Sequence, residues 1–402
     1  MSVHFSSRLP WGRPPNRVSA KLQALKSQGV SLLDLTVSNP TRALPDLYPQ
    51  TLLSSLSSPQ ALRYEPSAQG ALTARESIAR YYQDRGYTVD PQHIVLCAST
   101  SEAYAWLFQL FGNPGDQVLF PEPSYPLLPL LGQLTSVETV PYPLRFDGRF
   151  HQSLPELGAL LTPHSRAIVV VSPNNPTGNY LRQAEAAGLL GMAAARNIPL
   201  LIDEVFSDYA FSDPCPQEGP RLLSLCQLPS PLADIPALRF VLSGFSKVLG
   251  LPQLKLGWIV VAGPEPLRSL AQDRLELIAD TFLSVGTPIQ LAAADLLAQR
   301  TTLTAGISAR ISASLQTLQT VFADTMVSVL PVEGGWYAVL KVPTFVFEEE
   351  LVLRLLDDDH LIVHPGYFFD FAAESYLVVS LLCPPADLAD GAARLLHRLE
   401  NV

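Results

Sequence analysis

The chain has 402 residues, of which 48% are hydrophobic and 16% charged, and its formal net charge at pH 7 is −10. This composition is typical of a folded protein with a large core, the length favours two domains, and the negative charge argues against nucleic acid as the main partner. The cysteines show no metal-ligand spacing and no apolar stretch is long enough to span a bilayer, so we expect a cytoplasmic protein with no metal site, signal peptide or membrane span.

Short apolar segments alternate with longer helical patterns from about residue 93 to residue 262. The predicted strands are 93–97, 116–120, 136–140, 166–171, 198–203, 239–243 and 257–262. Because these segments lack polar alternation, we predict a parallel sheet that helices cover on both faces. Ligands of such sheets bind beyond the carboxyl ends of the strands, so polar residues that follow a strand are candidates for a site.

The pattern changes after residue 290. A long helical stretch is followed by strand-like segments at 336–342 and 375–382, with a helix predicted between them. We predict a smaller α+β unit here. The resulting division is an N-terminal arm at 1–45 that joins the small domain, a large domain at 46–288 and a small C-terminal domain at 289–402.

Three of the predicted strands end on polar residues. Ser99, Thr100 and Ser101 begin a helix, where they could bind an anion, although ordinary helix capping is the simpler interpretation of this feature alone. Asn175 is one of two adjacent amides after the strand at 166–171. Asp203 ends a very apolar strand, and an ionised carboxylate buried there needs a cationic partner.

A fourth strand end carries two lysines. Lys247 and Lys255 follow the predicted strand at 239–243 and lie among apolar residues. A solvated surface loop is the simpler interpretation of one such lysine. Burial, however, disfavours the ammonium form and so raises the fraction of neutral amine that can form a Schiff base.

These features occur in a fixed order: a Ser/Thr helix start, Asn-Pro-Thr-Gly at 175–178, a strand-end aspartate and Ser-x-x-Ser-Lys at 243–247. In that order they resemble the fold-type I pyridoxal-phosphate enzymes, and in particular the class I/II, aspartate aminotransferase-like enzymes. The resemblance covers roughly residues 30–385. It implies an α/β fold in which the large, cofactor-binding domain has a mostly parallel sheet between helices, beside a smaller α+β domain.

The resemblance also implies pyridoxal 5′-phosphate as cofactor and assigns roles to single residues. Lys247 would hold the cofactor as an imine and shuttle the proton of the reaction, and Asp203 would pair with the pyridine nitrogen. Asn175 would bond the 3′ oxygen, and Tyr125 would stack on the ring. The phosphate would be bound by Ser99, Thr100, Ser101, Ser246 and Lys255, and by Tyr64 and Thr287 from the other subunit of a homodimer.

The sequence departs from the family pattern at three positions. Lys255 stands where arginine is usual, which keeps the charge but loses the bidentate fork. Phe206 stands where a tyrosine usually donates to the 3′ oxygen, so we expect a more basic imine. Val378 stands where an arginine usually binds the substrate carboxylate. Arg42, together with Asn175, is the candidate for substrate binding, and an exposed arginine on the arm is the alternative.

We therefore predict an aminotransferase that moves an amino group between an amino acid or amine and a 2-oxo acid. The alternative is a lyase or decarboxylase of the same fold, because the arginine missing at position 378 normally helps to select which bond of the substrate breaks. A third possibility, a non-catalytic protein that only binds the cofactor, has no added partner domain in its favour. The aromatic run 367–369 hints at an apolar or aromatic substrate side chain, although such runs are often core.

Overall fold

The computed structural model describes residues 3–12, 14–283, 285–345, 347–373 and 375–401. The strands are β1 Leu33–Asp34, β2 Ile94–Cys97, β3 Gln117–Glu122, β4 Glu138–Phe146, β5 Phe150–Gln152, β6 Ser165–Val171, β7 Leu200–Asp203, β8 Arg239–Gly244, β9 Gly257–Ala262, β10 Ser328–Val329, β11 Tyr337–Lys341, β12 Leu361–Ile362, β13 His364–Pro365 and β14 Tyr376–Ser380. The helices are α1 Arg17–Ser27, α2 Pro40–Ala43, α3 Leu72–Gln83, α4 Thr100–Phe111, α5 Leu128–Thr135, α6 Leu154–Leu160, α7 Gln183–Arg196, α8 Phe245–Val248, α9 Leu267–Phe282, α10 Thr287–Leu291, α11 Ala293–Ala298, α12 Arg300–Val321, α13 Glu348–Asp357 and α14 Pro385–Glu400.

The largest sheet has eight strands in the order β2-β9-β8-β7-β6-β3-β4-β5. The five strands from β8 to β4 are parallel neighbours, which confirms the predicted, mostly parallel sheet. β9 runs antiparallel to both β2 and β8, because the chain turns back after α8 and the N–H of Phe245 donates to the carbonyl of Leu256 at 2.9 Å. β5, a strand of three residues, was not predicted.

Alternate side chains of the central strands enter two separate cores. In β6, Ile168 and Val170 lie in a core that includes residues of α3 and α7, whereas Ala167 and Val169 lie in a core with residues of α4 and α9. Both faces of these strands are therefore buried. This explains why the segments read as continuous apolar runs, and it confirms the helices predicted on both faces.

A second, four-stranded sheet in the order β10-β11-β14-β13 is antiparallel throughout and packs with α12, α13 and α14 around its own core. The N-terminal segment joins this unit, because β1 pairs in parallel with β12 and the carbonyl of Val37 accepts a hydrogen bond from the hydroxyl of Ser380 at 2.7 Å. The carboxyl ends of β6, β7 and β8 carry the residues that the sequence singles out.

Over the residues that the structure describes, no helix has the combination of length and apolarity that crossing a membrane requires.

Candidate active site

Lys247 lies in α8, directly after β8, and its ammonium group is densely surrounded although the residue keeps some exposed surface. Burial lowers the pKa of Lys247 to about 8, and the charge of Asp203 partly opposes that shift. The Nζ atom lies 4.8 Å from the ring centroid of Trp336 and 5.2 Å from that of Phe206. Aromatic faces attract a cation, so the two rings offset part of the cost of desolvation. Lys247 is therefore enclosed, and the solvated-loop interpretation does not describe it.

Asp203 is the last residue of β7 and keeps only 9% of its surface exposed. Its two carboxylate oxygens accept hydrogen bonds from the Tyr104 hydroxyl and the Val205 N–H, both at 3.1 Å. Burial raises the pKa of Asp203 to about 6, although both hydrogen bonds and the charge of Lys247 act in the opposite direction. The carboxylate is thus held in place but incompletely compensated, and a second cation beside it would be stabilised.

Several buried polar atoms at the ends of β6 and β8 have no hydrogen-bond partner among the residues that the structure describes. They include the Oδ1 atoms of Asn174 and Asn175 and the Oγ of Ser243, and the Nε1 of Trp336 is a further one. Buried polar atoms are nearly always paired, so orphaned atoms at these strand ends fit a polar group that binds there. The lysine, the carboxylate and these polar atoms suit a cofactor that has a ring nitrogen, a hydroxyl oxygen on the ring and an aldehyde carbon.

The two adjacent asparagines differ in their hydrogen bonds. The side-chain N–H groups of Asn174 donate to the carbonyl of Pro123 at 3.0 Å and to the hydroxyl of Thr177 at 2.7 Å, so Asn174 fixes the loop. The amide oxygens of both asparagines have no hydrogen-bond partner among the described residues. Gly178 is required because its φ is +73° and a Cβ there would lie 2.7 Å from the carbonyl oxygen of Gly334. That close approach brings the segment before Trp336 over the site.

The helix start after β2 lies beside the Lys255 segment. The register pairs Cys97 with Gly257, and a Cβ on Gly257 would lie 3.3 Å from the carbonyl carbon of Ser99. The hydroxyl of Ser99 accepts the N–H of Glu102 at 3.1 Å, so ordinary capping accounts for this side chain. Lys255 is exposed and adopts a left-handed backbone conformation with φ of 51°. The first turn of α4, which carries Thr100 and Ser101, therefore adjoins a cation.

The remaining predicted residues keep part or most of their surface exposed. Tyr125 is 45% exposed, and both its burial and the nearby charge of Asp203 raise its pKa. Tyr64 is 77% exposed, and Thr287 begins α10, which packs against the segment just before Tyr64. The exposure of Tyr64 leaves it available to a second subunit.

Arg42 is exposed in α2, two residues after Pro40. The Cβ of Pro40 lies 3.2 Å from the position of a Cβ on Gly250, three residues after Lys247. This places the start of α2 against the segment that follows Lys247. Val378, by contrast, has no exposed surface and pairs with Val339 and His364.

Sequence patterns did not identify Tyr104, Tyr209 or Trp336. Tyr104 belongs to the apolar pattern of α4, and the hydroxyl of Tyr209 donates to the carbonyl of Lys247 at 2.6 Å. Trp336 has no exposed surface, and its ring makes edge-on contacts with Phe206 and Tyr209 at 5.2 and 5.1 Å. A large aromatic residue in a strand is ordinary core, so the one available signal for Trp336 was the pair of glycines that precedes it.

The sequence also matches a known family. The sequence model described as aminotransferase class I and II matches residues 31–395. The chain belongs to that family. The predicted family is therefore confirmed.

Curated members of the family resemble the chain at a distance. Glutamate-pyruvate aminotransferase AlaA from Escherichia coli is 26% identical over 275 residues, which cover 68% of this chain and 65% of that relative's length. Alanine aminotransferase from Mycobacterium tuberculosis is 26% identical over 394 residues, which cover 95% of this chain and 88% of that relative. Both names denote aminotransferases, so the predicted alternative of a lyase or decarboxylase is not favoured.

The fold is also shared with solved structures. The crystal structure of an aminotransferase from Escherichia coli superposes with a TM-score of 0.84 at 24% identity, covering 100% of this chain and 99% of that one. At this identity the likeness concerns the fold alone.

Proposed function

We propose that the protein is a pyridoxal 5′-phosphate-dependent aminotransferase that moves an amino group between an amino acid or amine and a 2-oxo acid. The observation that carries the proposal is the enclosed amine of Lys247, which faces a buried carboxylate and orphaned polar atoms at one end of the sheet. We further propose that it acts as a homodimer in the cytoplasm.

The residues suit such a cofactor on chemical grounds. Asp203 would keep the ring nitrogen protonated, the side-chain N–H of Asn175 would donate to the 3′ oxygen, and the ring of Tyr125 would stack on the pyridine. The phosphate would be bound by the first turn of α4 with Ser99, Thr100 and Ser101, by Ser246 and Lys255, and by Tyr64 and Thr287 of a second subunit. When bound, the cofactor supplies the electron sink that stabilises a substrate carbanion.

The chain's own groups account for the proton transfer. With its pKa lowered to about 8, Lys247 has an appreciable fraction of neutral amine near neutral pH, whereas an exposed lysine has almost none. A neutral amine can accept the substrate's α proton and return it elsewhere. Phe206 and Trp336 keep water away from this amine and stabilise it when it is protonated.

The proposal is tested by cofactor attachment and by a half-reaction. Wild-type protein loaded with pyridoxal 5′-phosphate should show the absorbance of a lysine-bound cofactor, and Lys247→Ala should not. Lys255→Ala is the matched control, which should keep that absorbance while binding the cofactor about tenfold more weakly, equivalent to about 1.4 kcal/mol.

Adding an amine or amino acid without a 2-oxo acid should then convert the cofactor to its amine form and release one carbonyl product per site. Retention of the lysine-bound absorbance in Lys247→Ala, or release of CO₂ or ammonia without formation of the amine form, would contradict the proposal.

A further inference from the structure

One face of the smaller sheet is turned toward the large unit. Directly paired strand residues share a face, so the pairs Tyr337–Ser380 and Val339–Val378 lie on one side, together with His364, which also pairs with Val378. Val339 and Val378 belong to the same core as the β6 and β7 side chains, whereas the intervening residues of β11 and β14 pack with α12 and α14. The first set therefore forms a wall opposite the carboxyl ends of the large sheet.

This wall adjoins the site around Lys247. The core that contains Val339 and Val378 also contains Phe245 and Val248 of α8, the helix that carries Lys247. Tyr337 follows Trp336, whose ring lies over the Lys247 amine. Tyr125 is close enough to Tyr337 to raise the pKa of the Tyr337 hydroxyl. Asp203 is in turn close enough to Tyr125 to raise the pKa of Tyr125. Tyr337 and His364 are half-buried and form the accessible part of the wall. Val378 lies on the same face and is fully buried.

The groups on the surface of the wall are neutral. The Tyr337 hydroxyl is hydrogen-bonded to the side chain of Ser38, which is also half-buried. Burial lowers the pKa of His364, and the charge that partly opposes this shift belongs to an acid, Asp34. The imidazole ring packs against Phe368 and Phe369 at centroid distances of 5.8 and 5.7 Å. Hydroxyls and a neutral imidazole can hydrogen-bond an uncharged polar group.

A carboxylate at this wall would lack a cation. Within β11, β13 and β14, the one lysine or arginine on this face is Lys341. It is exposed and lies four residues beyond Tyr337, about 13 Å along the strand. A carboxylate buried without a cation costs several kcal/mol, and the nearby Asp34 would add repulsion. An uncharged substituent avoids both costs.

We propose that one of the two substrates is a primary amine with no carboxylate on the carbon that bears the amino group, that is, an alkyl amine or an amino alcohol. Its uncharged substituent lies against Tyr337, Ser38 and His364. This inference rests on the proposed function and names the substrate class of the same site. The carboxylate of the 2-oxo acid partner is then bound by Arg42.

The donor R–CH(R′)–NH₂, in which R′ is hydrogen for 2-phenylethylamine and CH₂OH for L-phenylalaninol, loses its C–N bond and becomes the carbonyl compound R–CO–R′ with an oxygen atom from water. Its nitrogen and two electrons would be held by the cofactor until the 2-oxo acid accepts them, becomes an amino acid and releases its keto oxygen as water. Overall, the donor and a 2-oxo acid give an amino acid and either an aldehyde or a hydroxy ketone.

The test uses three donors that share one side chain: 2-phenylethylamine, L-phenylalaninol and L-phenylalanine. Cofactor-loaded enzyme is mixed with each donor, and the specificity constant is taken from the rate at which the cofactor converts to its amine form. At least one of the two carboxylate-free donors should exceed L-phenylalanine at least tenfold. A preference for L-phenylalanine would overturn the inference and leave the proposed function intact. An enzyme that binds the cofactor but converts it with none of the three would overturn the proposed function itself, and the inference with it.

The wall is tested directly at residue 378. Val378→Arg places a cation on this face and should shift the preference at least tenfold toward L-phenylalanine, and Val378→Leu, the matched apolar control, should not. Because an arginine at a fully buried position can prevent folding, wild-type enzyme is also titrated calorimetrically with 3-phenyl-1-propanol and 3-phenylpropionate. Tighter binding of the alcohol supports the inference, whereas tighter binding of the acid overturns it.

Discussion

At the scale of single residues, the site is built from groups whose burial opposes their charged forms. Burial raises the pKa of Asp203 to about 6 and lowers that of Lys247 to about 8. Both shifts make the cofactor-free protein less stable than it would be with neutral groups at these positions. A bound cofactor that supplies a cation to Asp203 and takes up the amine of Lys247 would relieve both costs.

Asp203→Asn should therefore stabilise the cofactor-free protein in a pH-dependent way. As the pH rises from 4 to 6, the carboxyl group at position 203 ionises in the unfolded wild-type chain but stays largely protonated in the folded protein. The free energy of unfolding of the wild type therefore falls over this range. Above pH 6 the deficit levels off at no more than about 3 kcal/mol, from a pKa shift of about two units. Chemical denaturation at several pH values measures the difference between the variant and the wild type.

Asp208→Asn is the matched control for that measurement. Asp208 is buried in an ion pair with Arg300 at 3.0 Å, so its loss should destabilise the protein at neutral pH. If Asp203→Asn also destabilised the cofactor-free protein above pH 6, Asp203 would not be an uncompensated carboxylate.

Arg42 gives a second prediction at this scale. Arg42→Ala should raise the KM for an amino-acid donor or a 2-oxo acid about tenfold, because a charge-assisted hydrogen bond contributes about 1.5–3 kcal/mol. The KM for a carboxylate-free amine should not change. Arg17, an exposed arginine in a surface ion pair with Glu349, is the control, and Arg17→Ala should change neither constant. An unchanged KM for the amino acid in Arg42→Ala would exclude Arg42 from substrate binding.

At the scale of elements, the start of α4 combines two functions that the sequence could not separate. Ser99 and Glu102 form a reciprocal cap, in which the Ser99 hydroxyl accepts the Glu102 N–H and the Glu102 carboxylate accepts the N–H of Ala98 at 2.6 Å. Thr100 is the first helical residue and does not take part in this cap. Its hydroxyl is thus the better candidate for an anion ligand.

Two conservative variants separate these functions. Ser99→Ala should lower the free energy of unfolding of the cofactor-free protein by about 1 kcal/mol, because it removes the cap. Thr100→Val keeps the shape of the side chain, so it should leave this stability unchanged and weaken cofactor binding about fivefold, near the 1 kcal/mol of one hydrogen bond. Thermal unfolding and a cofactor titration measure the two effects. Equal losses of stability in both variants would contradict this division.

At the scale of the whole molecule, one surface carries more exposed apolar side chains than a monomer needs. Leu62 is 92% exposed, Tyr64 77% and Leu283 67%, and α10 packs against the segment that contains Leu62. Contiguous apolar exposure of this kind marks an interface. It includes the two residues that the family resemblance assigns to the partner's site, Tyr64 and Thr287, so assembly and cofactor binding should be coupled.

Leu62→Glu should disrupt the proposed homodimer and weaken cofactor binding at the same time, although Leu62 itself has no predicted contact with the cofactor. Burying an unpaired carboxylate opposes association. Sedimentation velocity and a cofactor titration should therefore change together. Phe345→Glu, at an apolar residue 59% exposed on the C-terminal unit, is the control and should change neither. A monomeric Leu62→Glu protein with full cofactor affinity would rule out a shared site.

Sequence alone determined seven of the eight strands of the large sheet, the order of the polar residues at the strand ends and the family. It could do so because a strand buried on both faces must be apolar throughout, so Asp203 and Lys247 stand out at the point where apolar runs stop. The domain boundaries at residues 45 and 288 stay a prediction, as do the site residues assigned by resemblance.

Only the tertiary structure decided which groups surround those residues. Trp336 covers Lys247, Tyr104 holds Asp203, and the neutral wall around Tyr337 faces the site, yet each comes from a segment distant in sequence. A local pattern records whether a side chain is buried and not which side chain it meets, so an aromatic residue of the core and an aromatic residue of the site read alike. Packing brings them together, and with them the side chains that the proposed substrate site requires.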